Sequence, residues 1–233
     1  MNQSKETELI LALDCEDKSK AIEIISSLKQ DLKWVKIGLQ MFTAYGKDFV
    51  KEIKSNGYNV FLDLKLHDIP NTVAKAIDSL SDLSIDLLTI HASGGDEMCE
   101  YAAHARNETN PNLRLLAVTV LTSINQAQLN QLNIKESIQK QVVDLAKLST
   151  KSGVDGVVSS PLELDILRSS LDSSKLIVTP GIRPLDSEQN EQKRVMTPAE
   201  ASEKGADFIV VGRPILNSPE PIKTVKQILQ SIS

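Results

Sequence analysis

The stretch Phe61-Leu62-Asp63-Leu64-Lys65-Leu66-His67-Asp68-Ile69-Pro70 sets an acid and an amine at alternate positions of an apolar run. Side chains alternate across a strand, so Asp63 and Lys65 share one side while Leu62, Leu64 and Leu66 share the other. The leucines suit packing under helices. An acid and an amine opposite them need a partner, a solvated mouth or a substrate. Lys36, between Val35 and Ile37, repeats the pattern, and Asp14 follows Leu11-Ala12-Leu13. Lys36, Lys65, Asp14, Asp63 and Asp68 are therefore expected to converge on one mouth. In such a row each neighbour favours the charged form of the next. Fixed charges of both signs are also prearranged to meet charge that changes during a reaction. A structural ion pair is the competing reading for any single pair, and several coincident strand-end charges favour chemistry.

A second group lies at Val210-Val211-Gly212-Arg213-Pro214. Gly212 would let a ligand approach the backbone, Arg213 offers a planar fork of donors, and Pro214 suits the first turn of a helix. Arg183, in Thr179-Pro180-Gly181-Ile182-Arg183-Pro184, is a second fork. Two such forks suit a phosphate.

These side chains need elements to hold them. Short β-branched runs recur at 9–13, 34–37, 59–64, 87–90, 113–121, 154–158, 176–179 and 208–211. Segments of helical spacing follow them: Asp17 can cap a helix carrying Ala21, Ile22, Ile25 and Leu28 on one face. Further helical segments are expected at 72–80, 138–148, 198–204 and 222–229. Eight strands, each followed by a helical segment, predict a (β/α)8 TIM barrel as one domain over residues 1–233, with a doubly wound open sheet as the alternative. The long connections at 122–135 and 180–194 are expected to be loops over the site, since barrels build their sites from the loops after the strands.

Composition narrows the partners. The chain has 233 residues and a formal net charge of -5, with 26 Lys plus Arg against 31 Asp plus Glu. That balance, without a basic block, argues against nucleic acid and against an anionic membrane surface. A small anion needs only a few local cations. The opening Met1–Glu6 stretch lacks the apolar region of a signal peptide, and no apolar run reaches membrane-spanning length, so a cytoplasmic location is expected. The two cysteines, Cys15 and Cys99, form no paired framework and read as packing residues, as do Trp34 and Tyr101. The three histidines have no ligand spacing and are expected to hydrogen-bond at strand ends.

Along nearly its whole length the sequence resembles the orotidine 5′-phosphate decarboxylase family, in its free-standing bacterial form. The specific motif is Asp-x-Lys-x-x-Asp-Ile, here Asp63 to Ile69. Supporting it are Trp34-Val-Lys36-Ile-Gly38, His91-Ala-Ser-Gly-Gly95, Val118-Thr-Val-Leu-Thr122-Ser123 and Thr179-Pro-Gly-Ile-Arg183-Pro184. The resemblance implies decarboxylation of orotidine 5′-monophosphate to UMP and CO2, the last step of de novo UMP synthesis, with no cofactor and no metal. It implies that Lys65 stabilises and protonates the C6 carbanion, that Asp63 holds Lys65 beside the departing carboxylate, and that Lys36 and Asp14 bind ribose. It further implies a homodimer with shared sites, Asp68 and Thr72 reaching the neighbour's site and Ile69 between them also binding substrate. Thr122 and Ser123 would face the pyrimidine, and Arg183, Gln192, Gly212 and Arg213 would grip the phosphate. Two alternatives stay open. One is a magnesium-dependent sugar-phosphate decarboxylase or synthase of the same superfamily, which places an acid where this chain has Lys36. The other is a non-catalytic nucleotide-binding barrel.

Overall fold

The computed structural model describes residues 6–184 and 196–233. Eight parallel strands, β1 (Glu8–Ala12), β2 (Trp34–Gly38), β3 (Asn59–Leu66), β4 (Leu87–His91), β5 (Arg114–Val118), β6 (Gly156–Val158), β7 (Leu176–Thr179) and β8 (Phe208–Val211), pair in chain order. Strand β8 pairs back onto β1, from Glu8 opposite Phe208 to Leu11 opposite Val211. The sheet is a closed barrel, which disposes of the open-sheet alternative.

Strand alternation sorts the core into two layers. Ile10, Ala12, Phe61, Leu87, Leu116, Val178, Phe208 and Val210 fill the barrel interior. Leu9, Leu11, Val35, Ile37, Leu62, Leu88 and Ile90 face outward under the helices. Trp34 closes the interior edge to face against Phe208, with ring centroids 5.0 Å apart, and its indole N–H donates to Glu8 at 2.8 Å. Trp34 is thus a packing residue. Tyr101 is not, since it lies 46% exposed on the outer face of a helix.

The outer ring begins with α1 (Lys18–Leu28), whose first turn is capped by the Asp17 carboxylate accepting from Lys20 N at 2.8 Å. It continues through α2 (Leu39–Ser55), α3 (Pro70–Ser79), α4 (Gly95–Thr109), α5 (Gln126–Gln131), α6 (Ile138–Lys151), α7 (Leu164–Ser170), α8 (Pro198–Glu203), α9 (Arg213–Leu216) and α10 (Pro221–Ser231). Pro70 stands at the first position of α3, where its missing N–H would be unpaired in any case. That fixes where the β3 segment turns away from the barrel mouth.

Two expected boundaries also need correction. The 122–135 connection is not wholly loop: Asn125 and Gln128 form a reciprocal capping box that starts α5. The apolar run 113–121 also overstates the fifth strand, which stops at Val118. Of the 180–194 connection, residues 185 onward, Gln192 among them, lie outside the described residues. Its described ends meet where Ile182 bridges Met196 and Arg183 N donates to Met196 O at 3.0 Å.

Candidate active site

The strands' C-terminal ends open into a cavity of about 430 Å³ lined by Asp14, Lys36, Asp63, Lys65, Thr122, Arg183, Gly212 and Arg213 among others. Eight of the thirteen residues expected to bind substrate are therefore brought together here. Ser123 is exposed beside Thr122, outside the lining. Asp68, Ile69 and Thr72 are exposed beyond the end of β3, so the expectation that Asp68 converges on its own mouth is corrected. The backbone explains this, because after Leu66 the chain leaves the sheet and Asp68 accepts from Ile69 N at 2.7 Å in the turn before Pro70.

The four remaining charges form an unbroken row. Lys36 Nζ donates to Asp14 Oδ1 at 3.2 Å and stands 3.6 Å from Asp63 Oδ2. Asp63 Oδ1 accepts from Lys65 Nζ at 2.8 Å. Asp14 reaches the row from two residues past β1, and Lys36 from a β2 position whose neighbours Val35 and Ile37 are wholly buried in the outer layer. Gly38 leaves room for the first pair: a Cβ there would lie 2.7 Å from Lys36 Nζ and 3.1 Å from Asp14 Oδ1. Burial works to raise the Asp63 pKa, but the ammonium groups of Lys36 and Lys65 and the hydrogen bonds from Lys65 and Thr89 outweigh it. The net result is a carboxyl held below the ordinary carboxylate range.

Lys65 enters the cavity as alternation predicts, yet its backbone is not that of a strand. Its φ is 52°, in the left-handed region that residues with a side chain seldom adopt. Between Leu62 opposite Leu88 and Leu66 opposite Ile90 the register of β3 slips, with four residues of β3 spanning two of β4. Thr89, fully buried on β4, takes up the slack: its hydroxyl accepts from Lys65 N at 2.8 Å and donates to Asp63 Oδ1 at 2.9 Å. Sequence reasoning missed Thr89. The available signal was a hydroxyl at an inward position, with outward Leu88 and Ile90 on either side. It also missed Ser159, which is buried at the cavity wall.

Arg183 and Arg213 stand at the other end. Burial, then the charge of Arg213, lower the Arg183 pKa. A bound anion would offset both effects by favouring the charged guanidinium. Gly212 lines the cavity and also packs closely on β1: a Cβ there would meet Ala12 Cβ at 3.3 Å and Ala12 O at 3.5 Å. The short α9 follows directly. Apolar wall is supplied by Phe61, Val118, Val120, Val158 and Val210.

The other candidate groups fall to the bland side. Burial raises the Cys15 thiol pKa and pushes that of Cys99 up to about 11, which suits packing and not nucleophilic attack. His67 and His91 lie ring to ring, centroids 5.3 Å apart. Burial, then His67 and Lys65, lower the His91 pKa. Among the described residues no group of three or more His, Cys, Asp and Glu side chains is placed to hold a metal ion, and no helix is long and apolar enough to cross a membrane.

The fold and the cavity define a (β/α)8-barrel enzyme whose site brings its own row of alternating charges. Its sequence matches the family described as orotidine 5′-phosphate decarboxylase / HUMPS over residues 7–228. It is 48% identical over 225 residues to an orotidine 5′-phosphate decarboxylase of Opitutus terrae, covering 97% of this chain and 98% of that one. It is 45% identical to the enzyme of that name from Idiomarina loihiensis, covering 96% and 97%. The crystal structure of orotidine 5′-phosphate decarboxylase from Lactobacillus acidophilus superposes with a TM-score of 0.87 at 38% identity, covering 98% of this chain and all of that one. The chain belongs to the orotidine 5′-phosphate decarboxylase / HUMPS family.

Proposed function

We propose that the protein converts orotidine 5′-monophosphate to UMP and CO2, the last step of de novo UMP synthesis, without a metal or organic cofactor. The observation that carries this reading is the row Asp14–Lys36–Asp63–Lys65, closed by contacts of 3.2, 3.6 and 2.8 Å, in the cavity that also holds Arg183 and Arg213. Among the described lining residues, four cationic side chains stand against two carboxylates, a positive balance in a protein of net charge -5. A substrate bearing a phosphate and a carboxylate complements it.

The chemistry follows from the positions. The bond from C6 to the carboxylate breaks, CO2 leaves, and the electron pair stays on C6 in the plane of the ring, outside the π system. The Lys65 ammonium stabilises that pair and transfers a proton to it, completing UMP, and the amine regains a proton from water. Asp63 anchors Lys65 on the side of the departing carboxylate. Lys36 and Asp14 hold the ribose hydroxyls, and Thr122 with Ser123 faces the pyrimidine. Arg183, Arg213, Gly212 and Gln192 bind the phosphate, whose binding energy is available to assist the reaction at the far end of the substrate.

The protein is proposed to act as a cytoplasmic homodimer with shared sites. Asp68, Ile69 and Thr72, exposed outside their own cavity, are free to enter that of a second copy; Ile69 is 67% exposed, unusual for a large apolar side chain. A magnesium-dependent sugar-phosphate reaction is disfavoured because β2 offers the ammonium of Lys36 beside Asp63, a cation where a metal ligand would be needed. The test is release of UMP from orotidine 5′-monophosphate with and without a chelator. Equal turnover in both supports the reading. Chelator-sensitive turnover of a sugar phosphate points to the magnesium alternative, and tight nucleotide binding without turnover points to a non-catalytic barrel.

A further inference from the structure

We infer that Thr89 is a positioning residue of the decarboxylase, its hydroxyl clamping together the backbone and the carboxylate that aim the Lys65 amine. The inference rests on the function proposed above and deepens it. Thr89 is wholly buried in the barrel wall, at a position where barrels ordinarily carry a branched apolar side chain. A hydroxyl has one proton, and here both of its roles are used. It donates to Asp63 Oδ1 at 2.9 Å and accepts from Lys65 N at 2.8 Å.

The two links bear on the same side chain from opposite ends. Lys65 Nζ donates to Asp63 Oδ1, the very oxygen that Thr89 holds. The Lys65 backbone stands at φ 52° within the slipped register of β3 on β4, and its N–H finds an acceptor in Thr89. A conformation so sparsely populated persists only where its surroundings hold it. Valine matches threonine in shape but would leave the half-buried Lys65 N–H without that acceptor and the carboxylate short of one donor. Lys65 would then sample several orientations, and a proton donor misplaced by an ångström loses rate steeply.

The experiment compares Thr89→Val with Thr89→Ser in steady-state decarboxylation and in backbone amide exchange of the substrate-free protein. In Thr89→Val, kcat is expected to fall by about tenfold to a hundredfold, the scale of one hydrogen bond to a charged group. KM should stay within about threefold, since Thr89 does not line the cavity. The acid limb of kcat/KM should move to higher pH, because Asp63 loses a donor to its charged form. Thr89→Ser should recover most of kcat. Exchange of the Lys65 amide should quicken in Thr89→Val and not in Thr89→Ser. A Thr89→Val enzyme within about threefold of the parent kcat, or a serine variant as slow as the valine one, overturns the inference. If the valine variant does not fold, Thr89→Cys, a weak donor and acceptor of similar size, must show the same loss, and parental kcat in it overturns the inference equally. Amide exchange needs no substrate, so if the parent enzyme failed to release CO2 the function would fall while Thr89 was still judged by Lys65 protection.

Discussion

Replacing Lys65 by alanine removes the cation at the end of the charge row and the only proton source assigned to C6. In the structure Lys65 Nζ lies 2.8 Å from Asp63 Oδ1, and Asp63 keeps Lys36 at 3.6 Å and Thr89 at 2.9 Å when the amine is gone. The cavity is therefore not left with an unpaired buried carboxylate, and the fold should survive. A unit charge about 3 Å from the developing carbanion contributes roughly 5 kcal/mol at an effective dielectric of about 20, or nearly four decades of rate. Loss of a positioned proton donor removes about two further decades. The expected result is a kcat lower by roughly a millionfold, with affinity for UMP changed by less than about tenfold because UMP already carries its proton at C6. Release of labelled CO2 from carboxyl-labelled substrate measures the first quantity and UMP titration the second, with thermal unfolding as a control. Turnover within about a hundredfold of the parent would refute the role given to Lys65. So would loss of UMP affinity in proportion to loss of rate.

Gly38→Ala should displace Lys36 Nζ, which a Cβ would approach to 2.7 Å; kcat/KM is expected to fall by about tenfold or more with little change in unfolding temperature, read by kinetics beside a thermal melt. Arg213→Ala should weaken UMP by about tenfold to a hundredfold and leave uridine affinity nearly unchanged, and equal losses for both in calorimetry would remove Arg213 from the phosphate site. His91 should titrate below its ordinary 6.5 by NMR, and Lys65→Ala should move it upward. Because its native pKa is depressed, stability should be complete above pH 6.5 and decline as pH falls from there toward the native value, where the unfolded chain binds the proton that the folded one refuses. Mixing Lys65→Ala with Asp68→Asn chains should restore about a quarter of parental activity, since half the dimers at equal mixing would carry one intact site. No recovery after subunit exchange would mean that the sites are not shared.

Much of this was legible in the residues because barrel strands announce themselves as short apolar runs, and period two says which side a charge takes. Lys36, Asp63 and Lys65 enter the cavity for that reason. Period two says nothing of backbone state, and the left-handed Lys65 and the slipped register of β3 were invisible to it. A lone threonine in an apolar run looks like any β-branched residue, which hid Thr89. Proximity in sequence misled at Asp68, carried out of the cavity by the turn before Pro70. The second demand on Gly212 is equally hidden: its tight neighbour is Ala12 across the β8–β1 seam, a contact only barrel closure creates. The capping residues Asn125 and Gln128, three apart, carry a helix-start signal in the sequence itself, and α5 begins there.

The central claim is that the amine of Lys65 supports a carbanion at C6 through charge that the chain itself supplies. By microscopic reversibility the same amine should remove the C6 proton of UMP, so the parent enzyme in D2O with a chelator present should place deuterium at C6, and Lys65→Ala should place none. An enzyme that decarboxylates its substrate yet leaves that proton unexchanged, or a Lys65→Ala variant that exchanges it at the parental rate, would contradict the account.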